Sequence, residues 1–203
     1  MKLKENYAMN HSKINEKSLF LNKRLFNTYN RIVLKKLNKI LSGVNVDLGS
    51  GDGGFGNYLK SINIESYSYD YPSYNIEKDS LKQKDGSVDF ITMNAVIEHI
   101  NNTDNIFNEI GRVLKNTGLI FVRTPNFRMD YRNFYNDPTH VKPYTPIRLK
   151  NTFKMYDLET IFLEPGLVEK SWFWWQLPDK IKWLAASLLN GGTKSIIGIA
   201  IKK

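Results

Sequence analysis

Five glycines fall within the eight residues from Gly49 to Gly56, directly behind the β-branched run Val44-Asn-Val-Asp-Leu48. Few folds tolerate that density. A strand must end in a tight turn whose backbone takes conformations closed to residues with a Cβ. Asn57-Tyr-Leu-Lys60 then suits a helix. Strand, turn and helix start make a βα unit in which Gly49, Ser50, Gly51 and Gly53 let a ligand approach the main chain, while the helix N-terminus offers N–H groups to it. The turn reads as the seat of a nucleotide or nucleotide-like cofactor, and a ligand-free glycine hairpin is the plain alternative.

Two ligand classes fit the turn. Gly51, Gly53 and Gly56 satisfy G-x-G-x-x-G, and Asp70 lies near the spacing at which a carboxylate holds a ribose, which suits a nicotinamide dinucleotide and an oxidoreductase. The same residues also spell Asp47-x-Gly49-x-Gly51-x-Gly53, with the carboxylate inside the strand. A pyrophosphate gains nothing from a carboxylate there, whereas an ammonium group does. The second pattern resembles the first motif of class I S-adenosylmethionine-dependent methyltransferases. That resemblance implies an α/β, Rossmann-like fold with a seven-stranded, mostly parallel sheet in the order 3-2-1-4-5-7-6 and helices on both faces. It also implies S-adenosylmethionine as cofactor, with Asp70 on the ribose beside Tyr71, Glu77 near the adenine and Asn94 beside the methyl group. Asp79, or a solvated charged loop, fits the adenine segment as well as Glu77 does.

Composition sets the frame. With 203 residues, 41% of them apolar and 13% aromatic, the chain has material for one domain with a substantial core. A polar tail over residues 1–18 and one domain over 19–203 are expected. No cysteine is present, which excludes disulfides and thiolate metal sites. Met1 to Asn10 lacks the apolar core of a secretory signal, and the apolar window from Ser171 to Leu189 is broken by Pro178, Asp179, Lys180 and Lys182, so no transmembrane segment and a cytoplasmic location are expected. The net charge of +9 comes mostly from lysine, 22 of 29 basic residues, which reads as a solvated face. Four of the seven arginines, Arg123, Arg128, Arg132 and Arg148, crowd into one stretch. Arginine's planar fork suits carboxylate and phosphate, so that stretch is expected to meet an anion.

Leu25, Tyr29, Ile32, Val33, Leu37 and Ile40 recur at helical spacing, stopped by Ser42-Gly43. Strands follow at Ile64–Asp70, Phe90–Met93, Leu119–Thr124, Tyr156–Leu163 and Thr193–Ile201. Helices are expected at 105–115, closed near Gly118, and at Pro146–Lys154. After the aromatic run Trp172-Phe-Trp-Trp175, a short helix begins near Pro178 with Ile181, Leu184, Leu188 and Leu189 as its apolar stripe. Residues 171–190 read as a lid packed on the domain; left exposed, with Lys180 and Lys182, they suit peripheral contact with a membrane.

Asn94-Ala-Val-Ile-Glu-His-Ile100 and Asp137-Pro-Thr-His-Val-Lys-Pro-Tyr-Thr-Pro146 extend the resemblance from Val44 to about Leu167. The loop 126–150 is longer than a plain connection and carries the acceptor side. His140 is the preferred general base for an acceptor hydroxyl, with His99 second, because imidazole titrates near neutrality. Either histidine also fits a bracing role. Arg128, Arg132, Tyr135 and Tyr144 are the expected acceptor contacts. The loop and the tryptophan-rich tail resemble methyltransferases of surface-polysaccharide and lipid-linked glycan pathways, which implies a small sugar or phosphate-bearing acceptor methylated on oxygen, or less favourably on nitrogen. An RNA ribose 2′-O-methyltransferase, with a nucleic acid partner, is the alternative. Some of those enzymes hold magnesium through two glutamates and two histidines, and Glu98, His99 and His140 match three of the four positions. Ala95 fills the fourth, so no metal is expected. A non-catalytic cofactor-binding module is the remaining alternative.

Overall fold

The computed structural model describes residues 16–169, 171–189 and 194–203. Its centre is a sheet of β1 (Val44–Leu48), β2 (Glu65–Tyr69), β3 (Val88–Asn94), β4 (Leu114–Pro125), β5 (Leu158–Pro165) and β6 (Ser195–Lys202). The strands lie in the order β2-β1-β3-β4-β6-β5. The first four are parallel, and β6 enters antiparallel between β4 and β5. Around it lie helices α1 (Glu16–Leu37), α2 (Gly54–Ser61), α3 (Asp104–Val113), α4 (Phe127–Phe134), α5 (Pro146–Met155) and α6 (Asp179–Leu188), with short 3-10 turns at Ile97–His99, Gly166–Glu169 and Trp172–Gln176.

The sheet therefore has six strands where seven were expected, and the missing one is the edge strand beyond β2. Residues 70–87 form turns and irregular chain. Their charged composition gives no alternating apolar face to pair on a sheet. Arg112 of α3 fixes them instead, donating to the carbonyls of Leu81 and Gln83 and pairing with Asp85 at 2.7 Å.

Two apolar layers follow from the alternation of side chains along each strand. One holds Val46, Leu48, Ile91, Met93, Ile120 and Val122 against α3 and α5. The other holds Phe90, Phe121, Ile197 and Ile199 against α1 and α2. Each such side chain contributes about 1.5–3 kcal/mol through burial. Helix α1 ends at Leu37, short of the expected Ile40, because Asn38 turns to φ 54°. Ile40 is exposed. Helix α3 gives way directly to β4 at Leu114, so Gly118 is no helix cap; a Cβ there would lie 2.8 Å from the Lys115 carbonyl.

Helix α6 overturns the packed-lid expectation for its stripe. Ile181, Leu184, Leu188 and Leu189 are exposed, and the inward face carries Lys182 and Ala186. Lys182 pairs with Glu164 of β5 and, at 3.0 Å, with Asp179. A carboxylate on the strand demands a cation opposite it, and that demand decides which face of the helix turns in. Of the aromatic run, Trp175 does pack, stacking on Phe162 at 5.8 Å and donating its ring N–H to the Val168 carbonyl. Phe173 is exposed. The expected start of the last strand, Thr193, lies outside the described residues.

Candidate active site

With β1 between β2 and β3, successive connections leave β1 in opposite directions, and the crevice at the carboxyl ends of those strands is where an open α/β sheet binds ligands. The glycine turn stands at its mouth. Gly49, Gly51 and Gly53 all take positive φ, at 66°, 55° and 71°. Gly49 is also sterically obliged: a Cβ there would sit 2.3 Å from Val96 Cγ2. Gly56 has a different task. It lets α2 lie close on β2, since a Cβ would meet Ser68 Oγ at 2.6 Å. The turn binds itself to the next strand through Gly49 N–H and Ser50 N–H, both donating to the Tyr69 carbonyl.

A cleft of about 290 Å³ opens here, lined by Gly49, Asp70, Tyr71, Ile76, Glu77, Ala95 and His99 among others. Asp70 stands at the end of β2, where one carboxylate oxygen accepts from the Tyr71 N–H. Glu77 accepts from the Asn101 and Asn102 N–H groups, which draws the 76–79 turn against the far wall. Ser50, Gly51 and Gly53 shape the turn without lining the cleft.

Two expected cofactor residues are not part of the cleft's lining. Asn94 faces the α1 side, where its side-chain carbonyl accepts from the hydroxyl of the fully buried Tyr29. β3 ends at Asn94, and the chain turns at Ala95 with φ 55°, so Ala95 meets the cleft instead. Asp47 is buried beneath the turn, with Oδ1 accepting from Thr92 Oγ1 at 2.7 Å. Burial pushes its carboxyl up from 3.8 to about 7, against the opposing pull of the Thr92 hydrogen bond. An uncompensated carboxylate in that place favours a cationic ligand group close by.

A second cleft, of about 220 Å³, adjoins the first at Ala95 and is lined also by Arg123, Thr124, Pro125, Asp130, Lys194 and Ser195. Of the four crowded arginines, Arg123 is the one that reaches it, and Lys194 joins it from the start of β6. The expected contacts Arg128 and Arg132 are exposed on α4; Arg132 lies over Tyr131 and donates to its hydroxyl at 3.0 Å. Tyr135 is exposed and packs edge-on to Phe127 and Phe134. Tyr144 is buried in the core, with its phenol pushed up to about 12 by burial, so it braces the loop and has no surface to offer an acceptor. Lys194 gave no signal in the sequence because only the antiparallel entry of β6, which sets Ser195 opposite Pro125 and Lys194 against Asn126, brings it to the cleft that Arg123 lines.

The acceptor-side loop is tied down by its main chain. Val141 and Lys142 N–H groups both donate to the Glu98 carbonyl, at 2.9 and 3.0 Å. Thr139 N–H and Oγ1 donate to Asp137, whose carboxyl is held below its usual range chiefly by the Thr139 hydroxyl. This places His140 against His99, ring centroids 4.8 Å apart. His140 Nδ1–H donates to the Phe134 carbonyl at 2.6 Å, and His99 Nδ1–H faces the Thr139 carbonyl at 3.1 Å. A carbonyl only accepts, which favours a proton on each Nδ1; His99 Nδ1 also meets Thr139 Oγ1 at 3.0 Å, and Asp137 Oδ2 lies 3.9 Å from His140 Nε2. Beneath them Glu98 is fully buried; Oε2 accepts from Thr124 Oγ1 at 2.8 Å, and burial raises its carboxyl above the ordinary range.

A family model described as a methyltransferase domain matches residues 20–162, more than half of the chain. The chain belongs to that family, which decides between the two readings of the glycine turn: this is an S-adenosylmethionine-dependent class I methyltransferase. Solved structures share the fold. An S-adenosylmethionine-dependent methyltransferase from Archaeoglobus fulgidus aligns with TM-score 0.59 and 18% identity, over 88% of this chain and 94% of that one. Geranyl diphosphate C-methyltransferase from Streptomyces coelicolor A3(2) gives 0.57 and 14%, over 89% and 82%. Phosphoethanolamine N-methyltransferase 2 of Haemonchus contortus, solved with S-adenosyl-L-methionine, gives 0.57 and 14%, over 87% and 52%. A search of curated proteins returned no match to the sequence. Among the described residues, no helix is long and apolar enough to cross a membrane.

Proposed function

We propose that the protein methylates an oxygen of a small anionic acceptor of the sugar or sugar-phosphate type. The observation that carries this reading is the second cleft, lined by two cations, Arg123 and Lys194, against one carboxylate, Asp130, and meeting the cofactor cleft at Ala95. S-adenosylmethionine supplies an electrophilic methyl group, so the chain's tasks are to hold, align and deprotonate. Asp70 suits the ribose hydroxyls, Asp47 the ammonium end, and Tyr71 and Glu77 flank the adenine side of the cleft. Arg123 and Lys194 fix the acceptor's anionic group. His140, or His99 beside it, takes the hydroxyl proton on Nε2, the atom that the Nδ1–H bonds leave basic.

Arg123→Leu tests the acceptor class. It is expected to raise KM for an anionic acceptor by about 10-fold or more, the worth of a charge-assisted contact, with the KM for S-adenosylmethionine unchanged. Equal KM values for wild type and variant across a panel of sugar phosphates would sink the anionic reading.

The exposed Ile181, Leu184 and Leu188 beside the exposed Lys180 favour a peripheral seat on an anionic membrane surface for α6. Co-sedimentation with vesicles containing phosphatidylglycerol, reduced at least about 5-fold in Leu184→Ser/Leu188→Ser, is the expected result. Equal recovery of the two proteins removes this seat.

A further inference from the structure

Glu98 and His99 come from one stretch of chain and His140 from another, yet each offers a ligand atom within 4.8 Å of the others. Three features make this more than a crowded corner. Glu98 Oε1 is buried with no hydrogen-bond partner, beside an Oε2 that Thr124 satisfies. A buried carboxyl oxygen with no side-chain partner calls for a water, an ion or a ligand at that spot. Both histidines spend Nδ1–H on main-chain carbonyls, of Phe134 and Thr139. That is the outer arrangement by which metal-binding imidazoles are oriented with Nε2 turned to the ion, and the Asp137 carboxylate stands 3.9 Å from His140 Nε2. Thirdly, the loop that carries His140 is fastened to the Glu98 main chain by two N–H bonds, so the set is pre-assembled.

We propose that Glu98, His99 and His140 bind one divalent transition-metal ion. Two imidazoles and one carboxylate suit zinc, manganese or iron(II), and three protein ligands leave positions open to water or an acceptor oxygen. The expectation of no metal rested on Ala95 replacing a second carboxylate. That loss weakens a hard ion such as magnesium, which relies on oxygen ligands, and matters little to an ion that accepts nitrogen. Metal bonds of about 2.1 Å join ligand atoms about 4 Å apart at most, so binding draws the set in by about 1 Å. Thr124, bonded to Glu98, lines the acceptor cleft, and His99 lines the cofactor cleft, so the ion would lie against both. An ion and the acceptor's proton compete for the same Nε2 atoms, so the metal-bound protein is a state in which the base role proposed above is blocked. The inference concerns binding alone and stands or falls apart from the acceptor reading above.

Calorimetric titration of chelator-treated protein with zinc, manganese and magnesium chlorides tests it. One zinc or manganese ion per chain is expected, with magnesium at least about 100-fold weaker. His99→Ala and His140→Ala are each expected to weaken zinc binding by more than about 100-fold, beyond the cost of losing an outer-shell partner. Cooperative thermal unfolding with an unchanged far-UV circular dichroism spectrum shows that each variant has folded. Cobalt(II) gives a reading on the unaltered protein: visible d–d bands that zinc displaces one for one. No binding by the wild type, or zinc affinity within about 3-fold of wild type in both variants, overturns the proposal.

Discussion

Asp47→Asn is expected to stabilise the ligand-free protein near pH 8 while removing most of its affinity for S-adenosylmethionine. Both effects have one origin. The Asp47 carboxyl is raised from 3.8 to about 7 by burial, so the folded state holds a proton that the unfolded state has released across that interval. A raised carboxyl contributes stability that is fully present below pH 3.8 and is lost as pH climbs through 7. At pH 8 the ligand-free wild type thus bears a buried charge, and the neutral amide relieves it by up to about 4 kcal/mol. At pH 4 the two proteins should unfold alike. The ligand's ammonium reverses the balance, because it pairs with the carboxylate. Wild-type affinity should therefore rise between pH 5.5 and 7.5, whereas that of Asp47→Asn should stay flat and about 100-fold lower at the top of the range. Urea unfolding at the two pH values and calorimetry across the range measure both limbs. A variant no more stable than wild type at pH 8, or one that binds as tightly, would mean that Asp47 does not face the ammonium as a buried charge.

Gly49→Ala is expected to destabilise the protein by about 2–5 kcal/mol and to abolish measurable cofactor binding. Two costs add. A positive φ costs an alanine about 1–2 kcal/mol, and overpacking of its Cβ on Val96 about 1–3 kcal/mol. Gly51→Ala isolates the first cost, because Gly51 has a similar φ and nothing within 4 Å of its would-be Cβ. It should lose only about 1–2 kcal/mol. Val96 belongs to the segment that also carries Ala95 and Glu98, so the clash at Gly49 pushes on the shared wall of both clefts. Equal destabilisation of the two variants would show that the Val96 contact yields without cost.

The glycine turn illustrates why part of this site was legible without coordinates. Its requirement is local: three positive φ values within five residues leave only glycine as a comfortable occupant, and the pattern survives in the letters. That Asp70 and Glu77 line the same cleft follows for a related reason, since the end of β2 and the turn after it come in order along the chain. Asn94 was misplaced by one residue. A strand reverses facing at every step, and the letters do not say at which residue β3 stops. The acceptor contacts failed more widely. Arg128 and Arg132 sit in the expected stretch, but the turn into α4 points them to solvent, and the cations in the cleft are Arg123 and a lysine 71 positions later.

What the sequence determined by itself was therefore the parallel α/β order, the cofactor turn and the pairing of Glu98-His99 with a later histidine. These depend on period, spacing and backbone chemistry over short distances. Tertiary structure alone decided that the sheet stops at β2, that α6 turns Lys182 inward and its leucines outward, and that Arg123 and Lys194 share a cleft. Each outcome depends on a partner far along the chain: Arg112 holding residues 81–85, Glu164 demanding a cation, and β6 entering antiparallel beside β4. A residue's facing is set by the group it must satisfy, and that group is brought near only when the chain has folded.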